Sequence, residues 1–174
     1  SVSDCDQDVL GLYREGDLVE LVLLVVRSGR VVDSETFSNR RIELPDDEVV
    51  AGFLREHYAE GGAGEARIPD EVLVPVLPDG AEGVAEWLGE RRQLLAGPGA
   101  RAPRKVELIA PRRGSRRGLL ELAQQNACHA FEEKRRAETD IDERLARVQE
   151  RLRLPTLPRR IECSDISHLG GEDT

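Results

Sequence analysis

Residues 18–26 read LVELVLLVV and are followed by RSGR at 27–30 and VV at 31–32. Within the first run Glu20 is the only charge, and every other residue is Leu or Val. A strand with one wet face alternates apolar and polar side chains, so this run predicts a strand covered on both sides. Ser28 and Gly29 supply the reversal, because glycine tolerates the positive φ that a tight hairpin needs. Val31 onward returns as the partner strand through Thr36 and Phe37, and residues 9–13 read as a third strand joined through Arg14, Glu15, Gly16 and Asp17. The first unit is a three-stranded antiparallel meander, and the remaining chain must cover its two faces.

Leu44, Pro45, Asp46, Asp47 and Glu48 form a helix start, with proline where an N–H is not needed and three acids at the positive end of the dipole. Val49, Val50, Phe53, Leu54, His57 and Tyr58 then recur at helical spacing until Gly61 and Gly62. Residues 71–74 make a short buried strand stopped by Pro75, and residues 79–92 return to helical spacing through Val84, Trp87 and Leu88. After the loop at 96–103, residues 106–110 are a fifth strand stopped by Pro111. A long helix follows, capped by Ser115 and marked by Leu119, Leu120, Ala123, Ala127, Ala130 and Phe131. Thr139 with Asp142 three residues on reads as a fresh helix start, and Ile141, Leu145, Val148 and Leu152 form a narrow seam behind it. A meander followed by strand-helix units, with a mixed five-stranded sheet and helices on its faces, is the α/β plan of the ribonuclease H-like fold.

The net charge of −9 argues against a general nucleic-acid or membrane coat. No apolar run reaches the length of a membrane span and no signal peptide is visible. Cys5, Cys128 and Cys163 are far apart with no CxxC pair, so neither a disulfide framework nor a zinc site is indicated, and a cytoplasmic home is the simplest expectation. Methionine is absent even at position 1, so the chain reads as a piece of a longer protein.

The segment LPTLPRRIECSDISHLGG at 154–171 resembles the opening of the C-terminal nuclease domain of the UvrC family, the incision subunit of bacterial nucleotide excision repair. DVLGLYREGD (8–17), ELPDDEVVAGFL (43–54), IPDEVLVP (68–75), AEWLGERR (85–92) and PRRGSRRGLLELAQQNA (111–127) are similar to the region that precedes it. Ser164 departs from the aromatic residue usual in the family. The resemblance implies three parts: a ribonuclease H-like domain at 1–137, a helical linker at 138–160, and at 161–174 the first strand of the nuclease domain. It implies that Asp165 is a catalytic residue and ligand of a divalent metal, magnesium or manganese, in the full-length protein. It also implies damaged double-stranded DNA, UvrA and UvrB as partners. A carboxylate on a central strand suits such a metal, but one carboxylate is insufficient, so no metal is expected in this chain alone. His168 is expected to orient its surroundings.

Asp8 falls in the first domain where Asp165 falls in the second, which raises a second metal centre. Such a centre also needs acids from the first helix and from the end of the fourth strand. Glu48 could supply the former only by turning inward, and the fourth strand ends in Val74 and Pro75. The expectation is therefore a domain without catalysis of its own, with Asp8 a solvated member of the acidic series Asp4, Asp6 and Asp8. The stronger lead is the basic stretch holding Arg104, Lys105, Arg112, Arg113, Arg116 and Arg117 against a single acid, Glu107. It suits contact with a DNA backbone, and its lack of aromatics argues against base stacking. The alternative is a scaffold that holds protein domains together without touching DNA. His57 is expected half-buried, Trp87 in the core, and His129 beside Cys128 without a metal role.

Overall fold

The computed structural model of the chain describes residues 4–101 and 105–156. The strands are β1 (Gln7–Glu15), β2 (Leu18–Arg27), β3 (Arg30–Asn39), β4 (Glu71–Leu73) and β5 (Glu107–Ile109). The helices are α1 (Asp46–His57), α2 (Ala81–Ala96) and α3 (Gly114–Leu152). The sheet runs in the order β3-β2-β1-β4-β5. β1 to β3 form the antiparallel meander, and β4 and β5 add in parallel, so the sheet is mixed, as expected.

The apolar run of β2 is buried on both sides. Val19, Leu21 and Leu23 join a core with Val50, Leu54 and Tyr58 at the α1 end and Leu88 of α2. Val22, Leu24 and Val26 join another with Leu120, Ala123 and Ala127 of α3. The exception, Glu20, is buried and accepts a hydrogen bond from Ser38 of β3 at 2.6 Å. On β1 the alternation assigns Asp8, Leu10 and Leu12 to the α1 side and Val9, Gly11 and Tyr13 to the α3 side. A side chain at Gly11 would stand 2.2 Å from the Ala123 carbonyl oxygen, so helix backbone lies directly on strand backbone there. β4 pairs only residues 7–9 of β1, which leaves the Leu12 amide without a strand partner, and Gln124 of α3 accepts its hydrogen through Oε1.

α1 begins after an extended Pro45 with Asp46, Asp47 and Glu48 in its first turn, matching the sequence signals. α3 differs from expectation at two places. Gly114, at φ 79°, opens it, and Ser115 sits inside the helix rather than capping it. No second helix starts at Thr139: α3 runs unbroken to Leu152, and the Thr139 hydroxyl donates to the Arg135 carbonyl one turn back. A threonine caps only where the preceding backbone leaves the helix, and residues 119–138 contain neither glycine nor proline to make it leave.

The described residues divide into one compact unit that ends at Phe131 and a second that begins at Glu132. Within the second, Ile141 and Leu152 of the expected seam are exposed. Asp165, His168 and Cys163 lie outside the described residues, as does Arg104.

Candidate functional site

Asp8 sits in the middle of the sheet, on β1 between β2 and β4, with 2% of its surface exposed. The expectation of a solvated acid is corrected here. Strand alternation turns Asp8 inward under α1, whereas Asp4 is exposed. One carboxylate oxygen accepts from the Tyr58 hydroxyl at the end of α1. The other accepts from Arg27 Nη1 at 3.1 Å, and that same nitrogen also reaches the carbonyl oxygens of Gln7 and Val26. Burial pushes the Asp8 carboxyl up, against the pull of Tyr58 and Arg27. Burial, and then the neighbouring Asp8, pushes Tyr58 well above its ordinary value.

Beside this cluster lies a small, partly open void of about 10 Å³, lined by Asp8, Glu35, His57 and the two guanidinium-bearing side chains Arg27 and Arg67. It is too small to hold more than about one water. His57 is more buried than expected, stacked on Phe53 at 5.1 Å and edge-on to Tyr58 at 4.7 Å, and burial lowers its pKa. Gly64 gives the ring its place, since a side chain there would come within 2.4 Å of the imidazole.

These residues do not fit a divalent metal. A two-metal phosphodiesterase centre needs several carboxylates converging on open coordination positions. Here α1 contributes a phenol instead of an acid, and Arg27 supplies the countercharge. Glu48 is exposed at the far end of α1, ten residues from Tyr58. Among the described residues no group of three or more His, Cys, Asp and Glu is placed to hold a metal ion.

The basic stretch is split by the fold. Arg116 is committed to Glu71, whose carboxylate is buried on β4, through Nε at 3.1 Å and through Nη2. Gln7 donates to the same carboxylate at 2.8 Å. Burial pushes Glu71 up, but the bonds from Arg116 and Gln7 outweigh it and hold the carboxyl below its ordinary value. Cys5, beside this group, is pushed up to about 11, first by burial and then by Glu71 and Asp70. Arg117 pairs with Glu121 one turn along α3 at 3.2 Å. Lys105, Arg112 and Arg113 remain exposed and make no ion pair among the described residues. The alternation of β1 was the signal that could have placed Asp8 inside; nothing local could have named Glu71 as the partner of Arg116.

Residues 6–134 match the family model described as the UvrC ribonuclease H-like domain. The chain is 43% identical over 169 residues to the UvrABC system protein C of Syntrophotalea carbinolica, covering 95% of this chain and 25% of that protein. It is 40% identical over 166 residues to the protein of the same name from Geobacter metallireducens, with 95% and 25% covered. For Anaeromyxobacter dehalogenans the identity is 39% over 170 residues, with 95% and 21% covered. The chain thus spans about a quarter of the length of these relatives.

Proposed function

The chain belongs to the UvrC family, and from that premise we propose that its ribonuclease H-like domain holds and positions DNA for incision without cutting it. The observation that carries the non-catalytic half is the occupation of both Asp8 oxygens by Tyr58 and Arg27. The DNA-holding half rests on Lys105, Arg112 and Arg113, which lie at the β5 end of the sheet and on the approach to α3, exposed and in no ion pair among the described residues. Arg116 is excluded from this set by its bond to Glu71, and Arg117 is weakened in it by Glu121.

The same proposal places the chemistry in the full-length protein. Asp165 would be one ligand of magnesium or manganese in the following nuclease domain, with damaged double-stranded DNA as substrate and UvrA and UvrB as partners. What supports it is the DISH-containing segment and the name UvrABC system protein C carried by the relatives.

The test is binding of the 174-residue chain to a fluorescent 30-base-pair duplex across a salt series, beside a variant carrying Lys105→Ala, Arg112→Ala and Arg113→Ala. The expected result is salt-sensitive binding whose log–log slope shrinks in the variant by about 0.9 for each lost phosphate contact. Binding with the same slope in the variant would reject this edge as the contact. A folded chain that binds no duplex at low salt would leave a protein scaffold as the role of this domain.

A further inference from the structure

Between the end of β3 and α1 lies an open groove of about 570 Å³ that meets the Asp8 cluster only at the stacked pair His57 and Phe53 and shares no residue with the basic stretch. Its floor is apolar: Phe37 and Phe53 meet edge-to-face at 5.0 Å, flanked by Val49 and Ile42. Leu44, also in the lining, is 51% exposed, a large apolar side chain left in water. β3 is the edge strand of the sheet, so among the described residues no further strand closes that side.

The rim is acidic. Glu48, Gly52 and Glu56 follow one another at intervals of four, so all three lie along one face of α1. Both glutamates are exposed and neither makes an ion pair among the described residues, while the lining contains no arginine or lysine. Gly52 leaves a gap between them: a side chain there would meet nothing within 4 Å, so neighbouring groups do not require the glycine. On the outer side of the gap a second hollow shares Leu44, Glu48, Gly52 and Glu56 and adds one base, Arg55.

An apolar floor crossed by a gap between two carboxylates, with a single arginine against them, disfavours phosphate. It matches the long side chain of an arginine or lysine, whose stem packs on apolar surface while its head meets acid. We propose that this groove is a protein-docking site that receives a polypeptide segment presenting an apolar side chain flanked by arginine or lysine. The cation crosses at Gly52 between Glu48 and Glu56, and the apolar neighbour packs on Phe37 and Phe53. The basic edge at Lys105, Arg112 and Arg113 takes no part, so the two readings stand or fall separately.

The probe is a fluorescein-labelled hexapeptide, Arg-Leu-Arg-Phe-Leu-Arg, titrated into the 174-residue chain by anisotropy and mapped by 15N amide shifts. Controls replace its arginines by glutamate or its apolar residues by serine. Gly52→Leu fills the gap and favours the helix, so the variant folds at least as well as the parent. The expected result is saturable binding with shifts centred on Gly52 and Phe53. It weakens at least tenfold in Gly52→Leu and in the pair Glu48→Lys with Glu56→Lys, and is lost with both control peptides. Absence of binding at millimolar peptide, shifts centred elsewhere, or affinity unchanged in the variants would each overturn the proposal.

Discussion

Tyr58, at the C-terminal end of α1, donates its hydroxyl hydrogen to Asp8, near the start of the central strand β1, across 50 residues of sequence. The bond ties the first helix to the central strand at the point where a metal-dependent relative of this fold would need carboxylates from both. Asp8 is thereby held by a phenol and a guanidinium, groups that donate hydrogen bonds to a carboxylate and add none of the negative charge that a divalent cation needs.

Tyr58→Phe tests how much the fold depends on that bond. Phenylalanine fills the same space but leaves a buried carboxylate oxygen without its donor, a loss of about 2 kcal/mol for a hydrogen bond to a charged group. Urea unfolding of the variant should show a lower midpoint with an unchanged slope. An unchanged midpoint would mean that Asp8 is satisfied without Tyr58.

Glu71 sets a pH dependence of definite sign. Its carboxyl is held below the ordinary value of 4.5 in the folded chain, because the bonds from Arg116 and Gln7 outweigh the effect of burial. The unfolded chain therefore takes up the proton first as the pH falls. The stabilisation is complete above 4.5 and is lost as the pH drops through the lowered folded value. Glu71→Gln should flatten the acid limb of the stability curve, and a variant curve parallel to the parent's would show that the pair contributes nothing to acid unfolding.

Gly11→Ala tests the contact between β1 and α3. The added carbon would lie 2.2 Å from the Ala123 carbonyl oxygen, and backbone on both sides leaves little room to relax. A loss of about 3 kcal/mol is expected, at the upper end of the range for overfilled cores. Denaturant midpoints measure it directly, and a loss under about 0.5 kcal/mol would mean that the helix shifts freely on the sheet.

The features that were legible in the sequence are those that one segment carries alone. The unbroken Leu and Val run of β2 requires cover on both sides, and the structure supplies α1 and α2 on one and α3 on the other. Pro45 and three acids mark the start of α1 without help from any neighbour. What escaped the sequence depends on distant partners. Asp8 belongs to an acidic lead-in by composition, yet pairing with both β2 and β4 buries it under α1. Arg116 looks like any other arginine of its cluster until β4 brings Glu71 to it from 45 residues away. At Thr139 a local capping pattern lost to the continuity of a helix that nothing upstream interrupts.

The measurement that tests the central claim most directly is a manganese titration of the 174-residue chain followed by paramagnetic broadening of its 15N amide signals, with duplex cleavage assayed in the same samples. A carboxylate already held by Tyr58 and Arg27 predicts no saturable broadening centred on Asp8 and no cleavage that Asp8→Asn removes. Saturable broadening centred on Asp8, together with cleavage that disappears in Asp8→Asn, would contradict a domain that keeps the ribonuclease H-like fold without its chemistry.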